Sequence, residues 1–281
     1  MTNKTEIFQK VEQRYLPAAF FVFEGIDGSG KTTQVHLVKE GLEKMGYRVV
    51  ATREPGGTTF GEMIKEIIHS NGDISKEARL GLLLAARAEH VRNVLEPVLS
   101  KRHNVPTVVL CDRFDLSTIA YQGAAGVDMK TIELLNTTAK QGIKTPDMTL
   151  TFLLHPKKAF QRSVARDNNP SVFEKKATFM ERVSQIYKNA TTNSKIAKQF
   201  GLGHIRQFDA DRSVDVIHKD VMDAIVERLK VLGLPLPAEM ERDRDRKNLS
   251  TLFLPNKEMK VTNAYSPHIV HPKIQKDNER C

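Results

Sequence analysis

The stretch from Phe20 to Gln34 constrains this chain most. It begins as an apolar run of aromatic and β-branched residues, passes through a glycine-rich loop and opens a segment with helical patterning. Gly25, Gly30, Lys31 and Thr32 fit the spacing G-x-x-x-x-G-K-[ST]. At that spacing the glycines let backbone N–H groups turn inward around phosphate oxygens, and the positive end of the following helix adds to the field. Lys31 then reaches the outer phosphates, and the Thr32 hydroxyl is placed to ligate Mg²⁺. Gly25, Asp27, Gly28, Ser29, Gly30, Lys31, Thr32 and Thr33 are the expected residues of an ATP site. A chance glycine-rich turn is the alternative. The order strand, loop, helix argues against it.

The rest of the chain alternates strands and helices. Strands are expected at 47–52, 107–111, 147–154 and 204–208, after the first one before Gly25. Helices are expected at 29–45, 60–69, 75–99, 112–123, 128–140, 157–166, 173–200 and 214–232. The continuous apolar run Thr107–Cys111 suits a parallel sheet buried on both faces. The pattern implies an α/β fold with helices on both sides of that sheet. Residues 1–17 read as an N-terminal extension, 18–232 as the folded domain and 233–281 as a C-terminal extension. Beyond Gly233, proline, asparagine and charge dominate, which implies an appendage that is partly disordered or wrapped on the surface, with Leu252, Phe253 and Leu254 as its one apolar anchor.

The net charge of +9 suits nucleic acid or phosphorylated small molecules. The phosphate loop favours the second, so no nucleic-acid partner is expected. No apolar run is long enough for a membrane span, and Met1–Pro17 lacks the apolar core of a signal peptide. Two cysteines, Cys111 and Cys281, make no disulfide framework. These features imply a reducing, cytoplasmic setting, with Cys111 a buried thiol.

Further segments match at family-like spacing over roughly Phe20–Leu232. They are Thr52-Arg53-Glu54-Pro55-Gly56-Gly57-Thr58, Ala85-Ala86-Arg87, Asp112 to Gly123, Pro146 to Leu150 and Asp209-Ala210. With them the chain resembles the thymidylate kinases, which transfer the γ-phosphoryl of ATP to dTMP. The resemblance implies a P-loop NTPase fold of the nucleoside monophosphate kinase type, with a five-stranded parallel sheet and a helical lid over about 157–176. It also implies a homodimer, since the family is often dimeric. Kinases of other deoxynucleoside monophosphates, and a nucleotide-regulated binding protein without transferase activity, remain as rival readings.

The resemblance also assigns roles. Asp27, an acid inside a phosphate loop, is expected to bind the acceptor's 3′-hydroxyl; an Asx turn is the alternative. Asp112, at the carboxyl end of a strand where ligands collect, is placed to hold Mg²⁺ through water. Arg113 and Arg53 are expected on the acceptor phosphate, because guanidinium forks grip a dianion bidentately; structural salt bridges are the alternative. Arg87 is expected on the thymine carbonyl, or else is a solvated helix arginine. Thr118 is expected at the base edge, with Ser117 and Gln122 nearby, and Tyr121 against the sugar 2′ position unless it is core. Arg166, with Arg162 second, is expected to supply the lid's catalytic cation, because Ser29 stands where one branch of the family places an arginine in the loop. The alternative is a surface charge run.

Two departures stand out. Leu83 occupies the position of the family's thymine-stacking Phe, one turn before Arg87, and offers no π face. Phe60 and Phe114 are the candidates to compensate. Val172 replaces an arginine usual before Phe173-Glu174.

Overall fold

The computed structural model describes residues 16–70, 74–167 and 173–234, with backbone alone for 163–167 and 173–176. Its strands are β1 (Leu16–Pro17), β2 (Ala19–Gly25), β3 (Arg48–Arg53), β4 (Arg102–His103), β5 (Thr107–Asp112), β6 (Met148–Leu153) and β7 (His204–Asp209). Its helices are α1 (Lys31–Lys44), α2 (Thr59–Ser70), α3 (Lys76–His90), α4 (Glu96–Leu99), α5 (Asp115–Ala124), α6 (Met129–Ala139), α7 (Pro156–Asp167), α8 (Phe173–Thr192), α9 (Ser194–Gln199) and α10 (Val214–Val231). The five long strands form one sheet in the order β3-β5-β2-β6-β7, with every pairing parallel.

β2 is the centre of the sheet and all its residues are buried. Its side chains alternate between two cores. Phe21 and Phe23 join α1, α5, α8 and α10 residues in the larger cluster, and Phe20 and Val22 join Val91, Leu95, Cys111 and Phe114 in the other. This is why the Phe-Phe-Val-Phe run carries no polar alternation. Each phenylalanine so buried contributes on the order of 1.5–3 kcal/mol relative to exposure.

The strand register levels Asp112 with both Phe23 and Arg53. The carboxyl ends of β2, β3 and β5 therefore open side by side, and their loops share one crevice.

Local differences from the periodicity have physical causes. The long helix expected over 75–99 is interrupted by a π-helical turn at Val91–Leu95. The helix expected over 173–200 breaks at Asn193, whose side-chain Oδ1 caps α9 by accepting from the N–H groups of Lys195 and Ile196. The helix expected from Asp112 begins only at Asp115, because Arg113 sits at φ 72°. β1 pairs antiparallel with β4, a contact between two-residue strands. Leu16 and Leu234 are buried, so the core reaches two residues past each end of the expected 18–232 span. The tail anchor at Leu252, Phe253 and Leu254 lies outside the described residues. No described helix is long and apolar enough to cross a membrane.

Candidate active site

The loop between β2 and α1 brings a lysine into a buried position. Lys31 Nζ donates to the Ile26 carbonyl at 2.9 Å. Burial pushes its amine down to about 8, helped by the Arg113 charge and opposed by Asp112, Asp27 and Glu24. Thr32 Oγ1 donates to Asp112 Oδ2 at 2.5 Å. Asp112 Oδ1 is buried and has no hydrogen-bond partner among the described residues. Ser29 is buried with its hydroxyl likewise unpartnered, whereas Gly30, Thr32 and Thr33 are exposed. At Gly28 (φ 84°) a Cβ would stand 2.2 Å from the Ala159 carbonyl oxygen, so α7 passes directly against the loop.

Facing this loop, Arg113 holds a left-handed backbone conformation that costs a non-glycine residue about 1–2 kcal/mol. The bend aims its guanidinium at the phosphate loop. Nη2 donates to Asp27 Oδ1, and Nη1 to Ser117 Oγ at 3.0 Å and the Gly25 carbonyl at 3.3 Å. The guanidinium carbon lies 5.2 Å from the centre of the Tyr121 ring. Tyr121 Oη donates to Asp27 Oδ2 and accepts from the Asp27 N–H, both at 3.2 Å. Burial pushes the Tyr121 phenol up to about 12, so it stays neutral. Partial burial pushes Asp27 up, but the Arg113 and Lys31 charges and the Tyr121 bond outweigh it and hold the carboxyl below its ordinary range. The Asp27 carboxylate is thus joined to Arg113 and Tyr121.

Glu24 is a participant that the motif spacing does not reveal. It is fully buried, one residue before the loop. Oε1 accepts from the N–H groups of Phe114 (2.8 Å) and Ser117 (3.1 Å), and Oε2 from the hydroxyls of Ser117 (2.6 Å) and Tyr187 (3.0 Å). Burial raises its carboxyl, against the lowering effects of Ser117 and Arg113. The signal for it in the sequence is a lone acid ending an apolar strand.

Arg87 is buried, so it is no solvated helix arginine. Its Nε donates to Glu54 Oε2 at 2.7 Å, its Nη1 donates to Asn136 Oδ1 and stands 3.6 Å from Asp115 Oδ1, and its guanidinium lies 4.8 Å over the Phe114 ring. That ring is itself buried, so Phe114 does not compensate for Leu83. Leu83 is half-buried, while Phe60 is exposed on α2. Thr118 and Gln122 are buried beside Tyr121, and Gln122 Oε1 has no partner among the described residues. Arg53 donates to Glu62 Oε1 from Nη2 at 2.8 Å.

On α7, Arg162 Nη1 donates to the Ala210 carbonyl at 2.9 Å, and Nη2 stands 3.9 Å from Asp211. Arg166 falls on α7, with its side chain outside what is described, as is Val172. Tyr187 on α8 reaches the site through Glu24 and Ser117.

Known proteins resemble this chain in sequence and in fold. The thymidylate kinase family model matches residues 23–220. A thymidylate kinase from Exiguobacterium sp. is 38% identical over 218 residues, covering 76% of this chain and 97% of that protein. A probable thymidylate kinase from Pyrococcus abyssi is 37% identical over 220 residues, covering 76% of this chain and 98% of that protein. The crystal structure of thymidylate kinase from Ehrlichia chaffeensis superposes with a TM-score of 0.55 at 30% identity, covering 74% of this chain and 99% of that one. With the phosphate loop, the Asp112–Arg113 turn and the Arg53–Thr58 loop all opening on one crevice, and relatives matched over nearly their whole length, the chain belongs to the thymidylate kinase family.

Proposed function

We propose that this chain transfers the γ-phosphoryl group of ATP to dTMP, giving dTDP and ADP, in the crevice between the phosphate loop and α5. The observation that carries the reading is the meeting of Asp27 with Arg113. It puts an acid of the donor loop and a strained arginine of the acceptor side in contact, where two nucleotides would lie end to end.

On binding, the acceptor phosphate replaces Asp27 as the partner of Arg113, and the freed Asp27 carboxylate accepts the sugar 3′-hydroxyl. Arg53 leaves Glu62 for the same phosphate. Lys31 exchanges the Ile26 carbonyl for the outer phosphates of ATP, and Arg162 and Arg166 bring further positive charge with the lid. Little covalent chemistry falls to the protein. Placement in line and neutralisation of the moving group do the work, and the closed lid keeps water out. Thr118 and Arg87 read the base, Ser117 and Gln122 support them, and Tyr121 crowds the 2′ position.

The residues fit a magnesium ion. The Thr32 hydroxyl and the unpartnered Asp112 Oδ1 offer hard oxygen donors, and phosphate oxygens and water would complete the shell. Bound there with ATP, Mg²⁺ supplies charge neutralisation on the phosphates.

A homodimer is proposed with it. Phe60, Met63 and Ile67 expose one apolar stripe along α2, a face that a second copy would cover. A cytoplasmic setting agrees with the free, buried Cys111 thiol. A second reading, phosphorylation of another deoxynucleoside monophosphate or of several, is favoured by Leu83, which gives a base apolar contact without stacking. A panel of deoxynucleoside monophosphates with Mg·ATP decides. Fastest turnover of dTMP is expected; little turnover of dTMP beside rapid turnover of another acceptor overturns the first reading.

A further inference from the structure

His90 lies on α3, three residues after Arg87, and has no solvent exposure. Its Nδ1 is 2.8 Å from Glu54 Oε1, and its Nε2 is 2.6 Å from Thr52 Oγ1. An ionised carboxylate only accepts, so Nδ1 is the donor to Glu54 and Nε2 is left to the Thr52 hydroxyl. The other oxygen of Glu54 binds Arg87 at both Nε and Nη2, each at 2.7 Å. One imidazole thus ties the end of β3 to the loop after it, and through Glu54 to the arginine on its own helix.

The loop also rests on the ring. A Cβ at Gly57 (φ 74°) would stand 2.8 Å from His90 Cδ2, 2.9 Å from Nε2 and 2.6 Å from Thr52 Oγ1. The loop backbone therefore follows any movement of the imidazole. A buried carboxylate shared by a histidine and an arginine holds one geometry only while all its bonds are made. With the histidine removed, Glu54 Oε1 is left without this donor, and the carboxylate and Arg87 turn together.

We propose that His90 is a positioning residue for the acceptor nucleotide: by fixing Glu54 and propping the 53–58 loop it sets Arg87 and Arg53 in one register, so that base and phosphate are recognised together. This rests on the reading of Arg87 and Arg53 as acceptor contacts given above. His90 itself touches neither nucleotide.

The test is steady-state kinetics on the full chain with both substrates varied, for wild type, His90→Ala, His90→Asn and Thr52→Val, each checked by circular dichroism. An Asn amide N–H stands where Nδ1 does and restores the donor to Glu54. His90→Ala is expected to raise KM for dTMP about tenfold, as for one unsatisfied buried group, with KM for ATP and kcat nearly unchanged. His90→Asn should recover most of this, and Thr52→Val should raise KM for dTMP by a few-fold. If folded His90→Ala leaves KM for dTMP unchanged, or raises both KM values equally, the proposal is overturned. Should His90→Ala not fold, His90→Asn and Thr52→Val decide by the same criterion: a selective rise in Thr52→Val that His90→Asn lacks supports it, and no selective rise in Thr52→Val overturns it. If the wild type prefers a different acceptor, the dTMP reading fails separately, and the same split is then read on the preferred acceptor.

Discussion

Glu24 Oε1 accepts the backbone N–H of Phe114 at 2.8 Å, across 90 positions of sequence. Phe114 is the N-cap position of α5, and its own side chain makes no capping bond. The cap comes instead from the strand that ends at the phosphate loop. One carboxylate thereby locks the helix of Ser117, Thr118 and Tyr121 to the loop of Lys31, and takes in Tyr187 from α8.

Glu24→Ala should therefore be among the most destabilising single changes outside the substrate contacts. It strands the buried N–H groups of Phe114 and Ser117, and leaves the Ser117 and Tyr187 hydroxyls with only each other and Arg113 as partners. A loss of about 3 kcal/mol or more is expected in urea unfolding, since each unsatisfied buried group costs on the order of 1–3 kcal/mol. A loss well under 1 kcal/mol would contradict the role given to it.

The same residue sets a pH dependence. Burial raises its carboxyl in the folded protein above the ordinary value of 4.5. The folded state then holds the proton more tightly than the unfolded chain. Its stabilising contribution is full below pH 4.5 and is lost as pH rises through the folded value. Glu24→Gln should flatten the fall in stability across that window, measured as urea midpoints against pH.

Lys31, lowered to about 8 by burial and by Arg113, should shape the activity profile. The value of kcat/KM for ATP reports the free enzyme, so it should fall above about pH 8 as the ammonium is lost. Bound phosphates restore the charge, so kcat should hold to higher pH. Lys31→Arg, which stays charged, should abolish the basic limb at a lower absolute rate. An unchanged limb in that variant would assign the titration to another group.

Leu83→Phe should tighten dTMP binding, because an aromatic face stacks on a base where leucine only packs; a gain of about 1 kcal/mol, several-fold in KM, is the expected scale. Weaker binding would mean that the half-buried site beside Arg87 has no room for the ring.

Much of this was legible in the residues. The loop from Gly25 to Thr32 and the five long strands stand where pattern and spacing put them, because each is a local signal. Other features depend on partners far away in sequence. Nothing near Phe114 announces a cap supplied by Glu24, and nothing near Arg87 announces that Glu54, Asn136 and Asp115 surround it. The pairing of Leu16 with His103 is too short for any periodicity. The π-helical turn at Val91–Leu95 is a change of backbone register that side-chain pattern does not encode. Asn193, by contrast, is a cap residue inside a long helical pattern, a local signal of the break that the structure shows there.

The most direct measurement follows the γ-phosphoryl group itself, using ATP labelled there, with dTMP and Mg²⁺, and scoring labelled dTDP against ADP for the wild type and for Lys31→Ala and Asp112→Asn. One labelled dTDP per ADP, strictly dependent on dTMP and lost in both variants, is the predicted result. ADP formed without dTMP, or variants that turn over like the wild type, would contradict the site described here.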